Sequence, residues 1–291
     1  VDEHHVGVYA GKNDGRIIKA PHPPALLHGS LVSPTIAAAI INGKYVNAVP
    51  LYRLEQEFSR YGLNITRQNM ANWMIRLGET YLSVLYDYLH QKLYNYHVIQ
   101  ADETPVLVNK DGRTAGSKSY MWVYRSGHLY EDKQIVLYDY HKTRNSSHPK
   151  GFLKDYSGIC VTDGYQVYHK IEKEHETLRI AGCWVHARRK FDEAMNVVPK
   201  EQRNKSNAYL VMKQIQAIYR EEDKLKELPS DDRLMQRQLV IKPLVDALFV
   251  YLKKMEPTVP SSGQLRKAYT YILNQEKYLR VFLEDGEVPI D

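Results

Sequence analysis

Two short apolar runs, residues 96–101 (Tyr-His-Val-Ile-Gln-Ala) and Gly158–Thr162 (Gly-Ile-Cys-Val-Thr), have the length and composition of β-strands, and each runs straight into an acid. The first is followed by Asp102-Glu103-Thr104 and the second by Asp163-Gly164-Tyr165. A carboxylate at the end of a buried strand has rigid support and sits at the rim of a sheet. Two such carboxylates on neighbouring strands can converge on a divalent cation. The chain is thus constrained to build a sheet that contains both runs. The third acid that such a site usually takes is not evident.

The periodicity before residue 96 is helical. Residues 1–32 read as an extended lead-in stiffened by Pro21, Pro23 and Pro24 around His22. Ser33-Pro34 supplies a cap and a first-turn proline for a short helix, with Asn42-Gly43 as its end. A second helix is expected over 51–61, apolar at Leu51, Leu54 and Phe58 and stopped by Gly62. Thr66 caps a third, which opens Arg67-Gln68-Asn69 and continues past Gly78 to residue 94. Helix, turn at Gly62-Leu63-Asn64, then helix is the outline of a helix-turn-helix. Arg67, Gln68 and Asn69 are side chains that pair with base edges and phosphates. A helical hairpin packed on the next domain fits the same pattern.

After residue 96, strands are expected over 96–108, 119–124 and 134–140, with turns at Lys110-Asp111-Gly112 and Ser126-Gly127. A short helix over 149–156, the strand Gly158–Thr162, a strand over 178–181 and a helix over 185–195 follow. Three hairpin-ordered strands, then alternating helices and strands, is the order of the ribonuclease H-like fold, an α/β mixed sheet flanked by helices. Asp102 then falls on the first strand and Asp163 at the end of the fourth. Beyond Pro199 the pattern is helical, marked by Ile215, Ile218, Leu225 and Leu228, then by Leu239 to Leu252, then by Leu265 to Leu273. The expected organisation is a lead-in and short helix (1–46), a helix-turn-helix-like region (47–96), a ribonuclease H-like core (97–199), an all-helical insertion (200–285) and the start of a final segment (286–291).

With 291 residues the chain has room for two or three domains, and its 43% apolar and 25% charged residues are ordinary for a globular protein. No run approaches the ~20 apolar residues of a membrane span, and the start lacks a signal-peptide pattern. Cys160 and Cys183, the only cysteines, exclude a disulfide framework and fit a reducing cytoplasm. The net charge of +6 and pI near 9.0 fit a polyanionic partner or a mildly basic enzyme. Beginning at Val1 and stopping at Pro289-Ile290-Asp291, the chain reads as part of something longer.

Two Mg²⁺ ions (or Mn²⁺) prefer oxygen ligands, which accounts for Asp rather than Cys or His at the two strand ends. Asp102 is expected to bridge the ions and Asp163 to hold one, with Gly164 permitting the turn. Glu103 alternates to the other face of its strand, towards solvent or a salt bridge. Cys183 and His186 have metal-ligand spacing but no second such pair, and zinc takes four ligands. The expectation is an auxiliary place beside the aspartates, with His186 contacting phosphate or moving a proton. Arg188, Arg189 and Lys190 follow on the same helix, as a DNA-phosphate contact or a solvated face.

These segments together resemble the transposases of the bacterial insertion-sequence 66 family, which use an Asp-Asp-Glu triad on a ribonuclease H-like fold. The resemblance runs through Gly43-Lys44-Tyr45, Val49 to Arg53, Arg67 to Trp73, Ala101-Asp102-Glu103-Thr104-Pro105, Thr162-Asp163-Gly164-Tyr165 and Gly182-Cys183-Trp184-Val185-His186-Ala187-Arg188-Arg189-Lys190-Phe191. It implies cleavage and strand transfer of double-stranded DNA, with Asp102 and Asp163 as the first two catalytic acids and a homo-oligomeric complex. It also implies an upstream zinc-binding segment, and a third acid in an Asn-Asn-x-x-Glu-Arg motif just after a segment like Val288-Pro289-Ile290-Asp291. Glu276, Glu284 and Glu287 precede that place and are poor candidates. A transposase-derived DNA-binding protein without catalysis and a ribonuclease H-like nuclease are the alternative readings.

Overall fold

The computed structural model describes residues 5–21, 24–109, 112–114, 116–127, 129–130 and 134–291. His22, Pro23, Lys110 and Asp111, assigned above to the lead-in and to a turn, lie outside the described residues. The chain divides into two compact units, Val1–Asp87 and Tyr88–Asp291.

In the first unit, β1 (Val8–Ala10) and β2 (Ile17–Lys19) form an antiparallel hairpin where only an extended lead-in was expected. The Gly11 amide donates to the Arg16 carbonyl at 2.8 Å to close it, and Asp14 accepts from the Arg16 amide. Three helices follow: α1 (Pro34–Ile41), α2 (Leu51–Arg60) and α3 (Arg67–Leu77). The Ser33 hydroxyl accepts from the Ile36 amide and the Thr66 hydroxyl from the Asn69 amide, each satisfying one of the donors that a helix start leaves free. Asn42-Gly43 does not end the first helix. The backbone stays helical and widens into a π-helical turn, Asn42–Val46, which ends with the Val49 amide on the Gly43 carbonyl. Leu27, Val32, Ile40, Leu54, Met70 and Met74 form the core. Arg76 and Tyr81 hydrogen-bond the carbonyls of His28 and Leu26, so the residues before α1 are fastened rather than loose. A second π-helical turn, Gly78–Leu82, leads into α4 (Ser83–Leu93), as the continuation past Gly78 anticipated.

The second unit is built on one mixed sheet. Its strands are β3 (Val98–Leu107), β4 (Lys118–Ser126), β5 (Val136–His141), β6 (Gly158–Thr162) and β7 (Leu178–Gly182), in the spatial order β5-β4-β3-β6-β7. β3, β4 and β5 are antiparallel neighbours, whereas β6 and β7 run parallel to β3. The helices α5 (Ser147–Phe152), α6 (Gln166–Glu174) and α7 (Trp184–Asn196) make the crossovers and the cover. This is the ribonuclease H-like arrangement, a mixed sheet with helices on its flanks.

Alternation along the strands divides the core. Val98, Ile159 and Val161 pack with Trp184, Phe191, Ile215, Leu248, Phe249 and Tyr269 on one face. On the other, Tyr124 stacks on Phe152 and Trp122 lies edge-on to Tyr168. The helical block that follows α7 comprises α8 (Asn207–Asp223), α9 (Ser230–Gln236), α10 (Lys242–Met255), α11 (Gln264–Asn274) and α12 (Glu276–Leu279). Leu225 and Leu228, expected to continue a helix, lie beyond the end of α8, yet Leu225 remains in the core. The block therefore contributes much of the cover for one sheet face, through side chains that removal from water makes favourable by roughly 1.5–3 kcal/mol each.

Candidate active site

The register of the sheet explains where the two acids meet. β6 pairs with β3 only from Val98 to Gln100, while β3 runs on beside β4 to Leu107. Asp102 lies two residues past the last parallel pair, and Asp163 follows the last residue of β6. Asp102 lies mid-way along β3 and Asp163 at the carboxyl end of β6. Both carboxylates thus stand where the parallel pairing of the two strands stops, the side on which open α/β sheets bind their ligands. Asp102 has the parity of Val98 and Gln100 and so shares the face covered by α7. His186, in the first turn of α7, reaches the same place. One donor atom each from Asp102, Asp163 and His186 lie within 4.8 Å of one another. Among the described residues no other grouping of three or more acidic, cysteine or histidine side chains has the proximity of metal ligands.

An open cleft of about 170 Å³ contains this cluster, with Gln100, Arg125, Thr162, Cys183 and Asp291 also on its walls. Each aspartate has one oxygen engaged locally. Asp102 Oδ1 accepts from the Glu103 amide at 2.8 Å, and Asp163 Oδ1 from the Tyr165 amide at 2.9 Å. The second oxygens remain for a ligand, and an oxygen-rich pair with one imidazole suits a divalent cation. The Nδ1 of His186 is buried without a hydrogen-bond partner among the described residues. Gly164 has φ +79°, and a Cβ there would lie 2.8 Å from Gln275 Cδ, so the tight turn after Asp163 depends on glycine. The Tyr271 hydroxyl donates to the Asp163 carbonyl at 2.8 Å and fixes the same turn from α11.

Glu103 points to the opposite face, as alternation requires, but not to solvent. Its side chain is 1% exposed and is ion-paired with Arg144, whose Nε lies 2.7 Å from Glu103 Oε1. Arg144 also lies 3.8 Å from Asp163 Oδ2 and over the Tyr165 ring at 3.9 Å. Burial pushes the Glu103 carboxyl up to about 7, with Asp163 acting in the same direction against Arg144. The sequence offered no signal for Arg144: nothing local links it to an acid 41 positions earlier.

Cys183 caps α7 and lines the cleft but is not among the three converging side chains. Burial, then Asp291, raises its thiol to about 11, so it stays protonated near neutrality, which disfavours a nucleophile role. Farther along α7, Arg188 and Arg189 are exposed and Lys190 is half-buried beside Glu193. Arg188 lies over the Tyr219 ring, whose hydroxyl donates to Asp291. In the first unit Arg67, Gln68 and Asn69 are all exposed at the start of α3, with Arg67 over the Tyr52 ring.

Comparison with known families gives the frame for this geometry. Residues 29–291 match the family model described as "Transposase IS66 family". The chain belongs to the IS66 transposase family. Its relatives include three uncharacterized proteins of Sinorhizobium fredii (strain NBRC 101917 / NGR234). The chain is 29% identical to y4qI, over 97% of this chain and 53% of that protein, and 25% identical to y4jD, over 94% and 54%. A third, y4hP, is 23% identical over 91% of this chain and 50% of its own length. This IS66-family chain thus spans about half the length of the curated relatives it matches. No helix among the described residues is long and apolar enough to cross a membrane.

Proposed function

We propose that this chain is the core of a transposase that cuts and joins double-stranded DNA by cation-dependent phosphoryl transfer. The observation that carries the reading is the convergence of Asp102, Asp163 and His186 at the open end of the parallel strands, in a chain whose family is that of transposases. The donors fit hard divalent ions, since each aspartate has an oxygen not committed to the backbone. Asp102 would hold both of two Mg²⁺ or Mn²⁺ ions and Asp163 one of them. Such ions would favour ionisation of the attacking hydroxyl and offset charge on the leaving oxygen.

The chain's own residues position the DNA and the proton. Arg188 and Arg189 would contact phosphates close to the cleft, and Arg67, Gln68 and Asn69 would contact DNA from the first unit. His186 sits where it can hold a proton or a phosphate oxygen. A third acid shortly after Asp291, as the resemblance implies, would come to the same cleft, which Asp291 already lines. Assembly as a homo-oligomer on paired element ends completes the reading.

The test uses the full-length protein on DNA carrying its element ends. Asp102→Asn and Asp163→Asn are each expected to abolish Mg²⁺-dependent cleavage while leaving end binding intact. Cleavage at the wild-type rate by either variant refutes the assignment.

A further inference from the structure

The pair formed by Glu103 and Arg144 has a geometry that a merely structural salt bridge would not need. The Arg144 guanidinium lies between the Glu103 carboxylate, on the opposite face of β3, and that of Asp163 in the site. It donates to Glu103 through both Nε, at 2.7 Å, and Nη2. Its Nη2 stands 3.8 Å from Asp163 Oδ2, near enough for attraction and too far for a hydrogen bond. Tyr165 holds the arginine from behind, with its ring 3.9 Å from the guanidinium and its hydroxyl donating to the Arg144 carbonyl at 3.1 Å.

An arginine placed next to a lone aspartate forms a bidentate pair that occupies both carboxylate oxygens. Here Asp163 has Oδ1 taken by the Tyr165 amide, so a paired arginine would consume the oxygen left for a cation. Glu103 prevents this. Its carboxylate is buried, cannot be solvated, and has no partner for Oε2 among the described residues, so its demand for the guanidinium outweighs that of the more exposed Asp163. We propose that Glu103 is a tether that holds Arg144 off Asp163 and so keeps one Asp163 oxygen open to a divalent cation. Glu103 and Arg144 are positioning residues in this arrangement, and neither is a ligand.

The inference rests on the cation-binding reading above, and the test separates the two. Mn²⁺ binding to the full-length protein is measured by the electron paramagnetic resonance of the free ion, with Asp163→Asn as the baseline. Glu103→Gln keeps the shape but loses the charge that restrains Arg144, and is expected to weaken Mn²⁺ binding at least about tenfold. Adding Arg144→Met to Glu103→Gln removes the competing cation, and is expected to bring binding back to within about threefold of wild type. A purely structural pair predicts the opposite order, with the double variant as weak as the single one or weaker. Wild-type affinity in Glu103→Gln, or a double variant as weak as Asp163→Asn, overturns the tether. Should Glu103→Gln fail to fold, the double variant, which has no buried charge at the pair, decides alone. Wild-type binding that ignores Asp102 and Asp163 overturns the cation site itself.

Discussion

Arg237 is the place to test how the helical block supports the cleft. The arginine is fully buried, in a π-helical turn (Arg237–Ile241) between α9 and α10. Its Nε lies 3.0 and 3.2 Å from the two Glu222 oxygens, and Nη2 bonds the same carboxylate. Its Nη1 donates to the carbonyls of Phe282 and Asp285, at 2.8 and 2.9 Å. Arg237→Met keeps most of the stem but strands the Glu222 carboxylate and two buried carbonyls. Breaking a buried pair from one side costs about 3–5 kcal/mol, and the orphaned carbonyls keep the expectation at the upper end. In a unit of this size that corresponds to a fall in Tm of roughly 6–20 °C. Circular dichroism on heating measures it. Arg237→Met with Glu222→Leu is expected to recover at least half of the loss, because two well-packed apolar groups leave no charge behind. Hydrogen exchange supplies the second readout: the amides of Leu283, Glu284 and Val288, bonded within the segment 280–288 whose carbonyls Arg237 holds, should lose protection first. A loss under about 1 kcal/mol, or a double variant no better than the single, refutes the energetics. Unchanged protection of the segment refutes its dependence on Arg237.

Two further outcomes follow from the geometry. Gly158 has φ +151°, and a Cβ there would stand 2.4 Å from the His97 carbonyl, so Gly158→Ala must part β6 from β3. A loss above about 3 kcal/mol in denaturant titration is expected, the range of severe overpacking and backbone strain, and a near-neutral variant would refute the contact. The His169 ring stacks on Tyr278 at 3.8 Å, and burial lowers its pKa from the usual 6.5. The folded state then binds fewer protons than the unfolded one below that value, so this histidine's contribution to stability falls as pH drops through the region below 6.5. His169→Asn should flatten the decline in Tm between pH 7 and 5, and an unaltered pH profile would contradict the burial argument.

Much of the sheet was legible because its signals are local. Gly158–Thr162 is β6 residue for residue, and the expected strand over 178–181 falls one residue short of β7. The expected strand over 134–140 begins before Val136 and stops before His141, since propensity fades gradually at an edge strand. The two acids stood out because each interrupts an apolar run. What was illegible depends on residues far apart in the chain. Arg144 finds Glu103, Arg237 finds the carbonyls of Phe282 and Asp285, and Tyr219 finds Asp291 only after the chain has folded. The π-helical turn after Ile41 escaped for another reason: Asn42-Gly43 has the chemistry of a helix end, yet the backbone stays helical through it, with Gly43 buried against Leu54.

The position of the cleft follows from a mismatch in strand length. β3 has ten residues and β6 five, so the parallel pairing stops at Gln100 and leaves the rest of β3 covered by β4 alone. Asp102 falls in the notch thus opened, and Asp163 forms its floor. The final segment closes one wall: the Trp184 backbone amide donates to the Ile290 carbonyl at 3.0 Å, and the Gln100 side-chain Nε2 to the Asp291 carbonyl at 2.5 Å. Arg233 holds the Gly286 carbonyl at 2.8 Å from the helical block, so the wall is fastened from both sides. A β6 longer by two residues would bring backbone alongside Asp102 and close the notch. The helical block and the shortness of β6 are therefore two halves of one arrangement, since the first holds a wall beside the opening that the second creates.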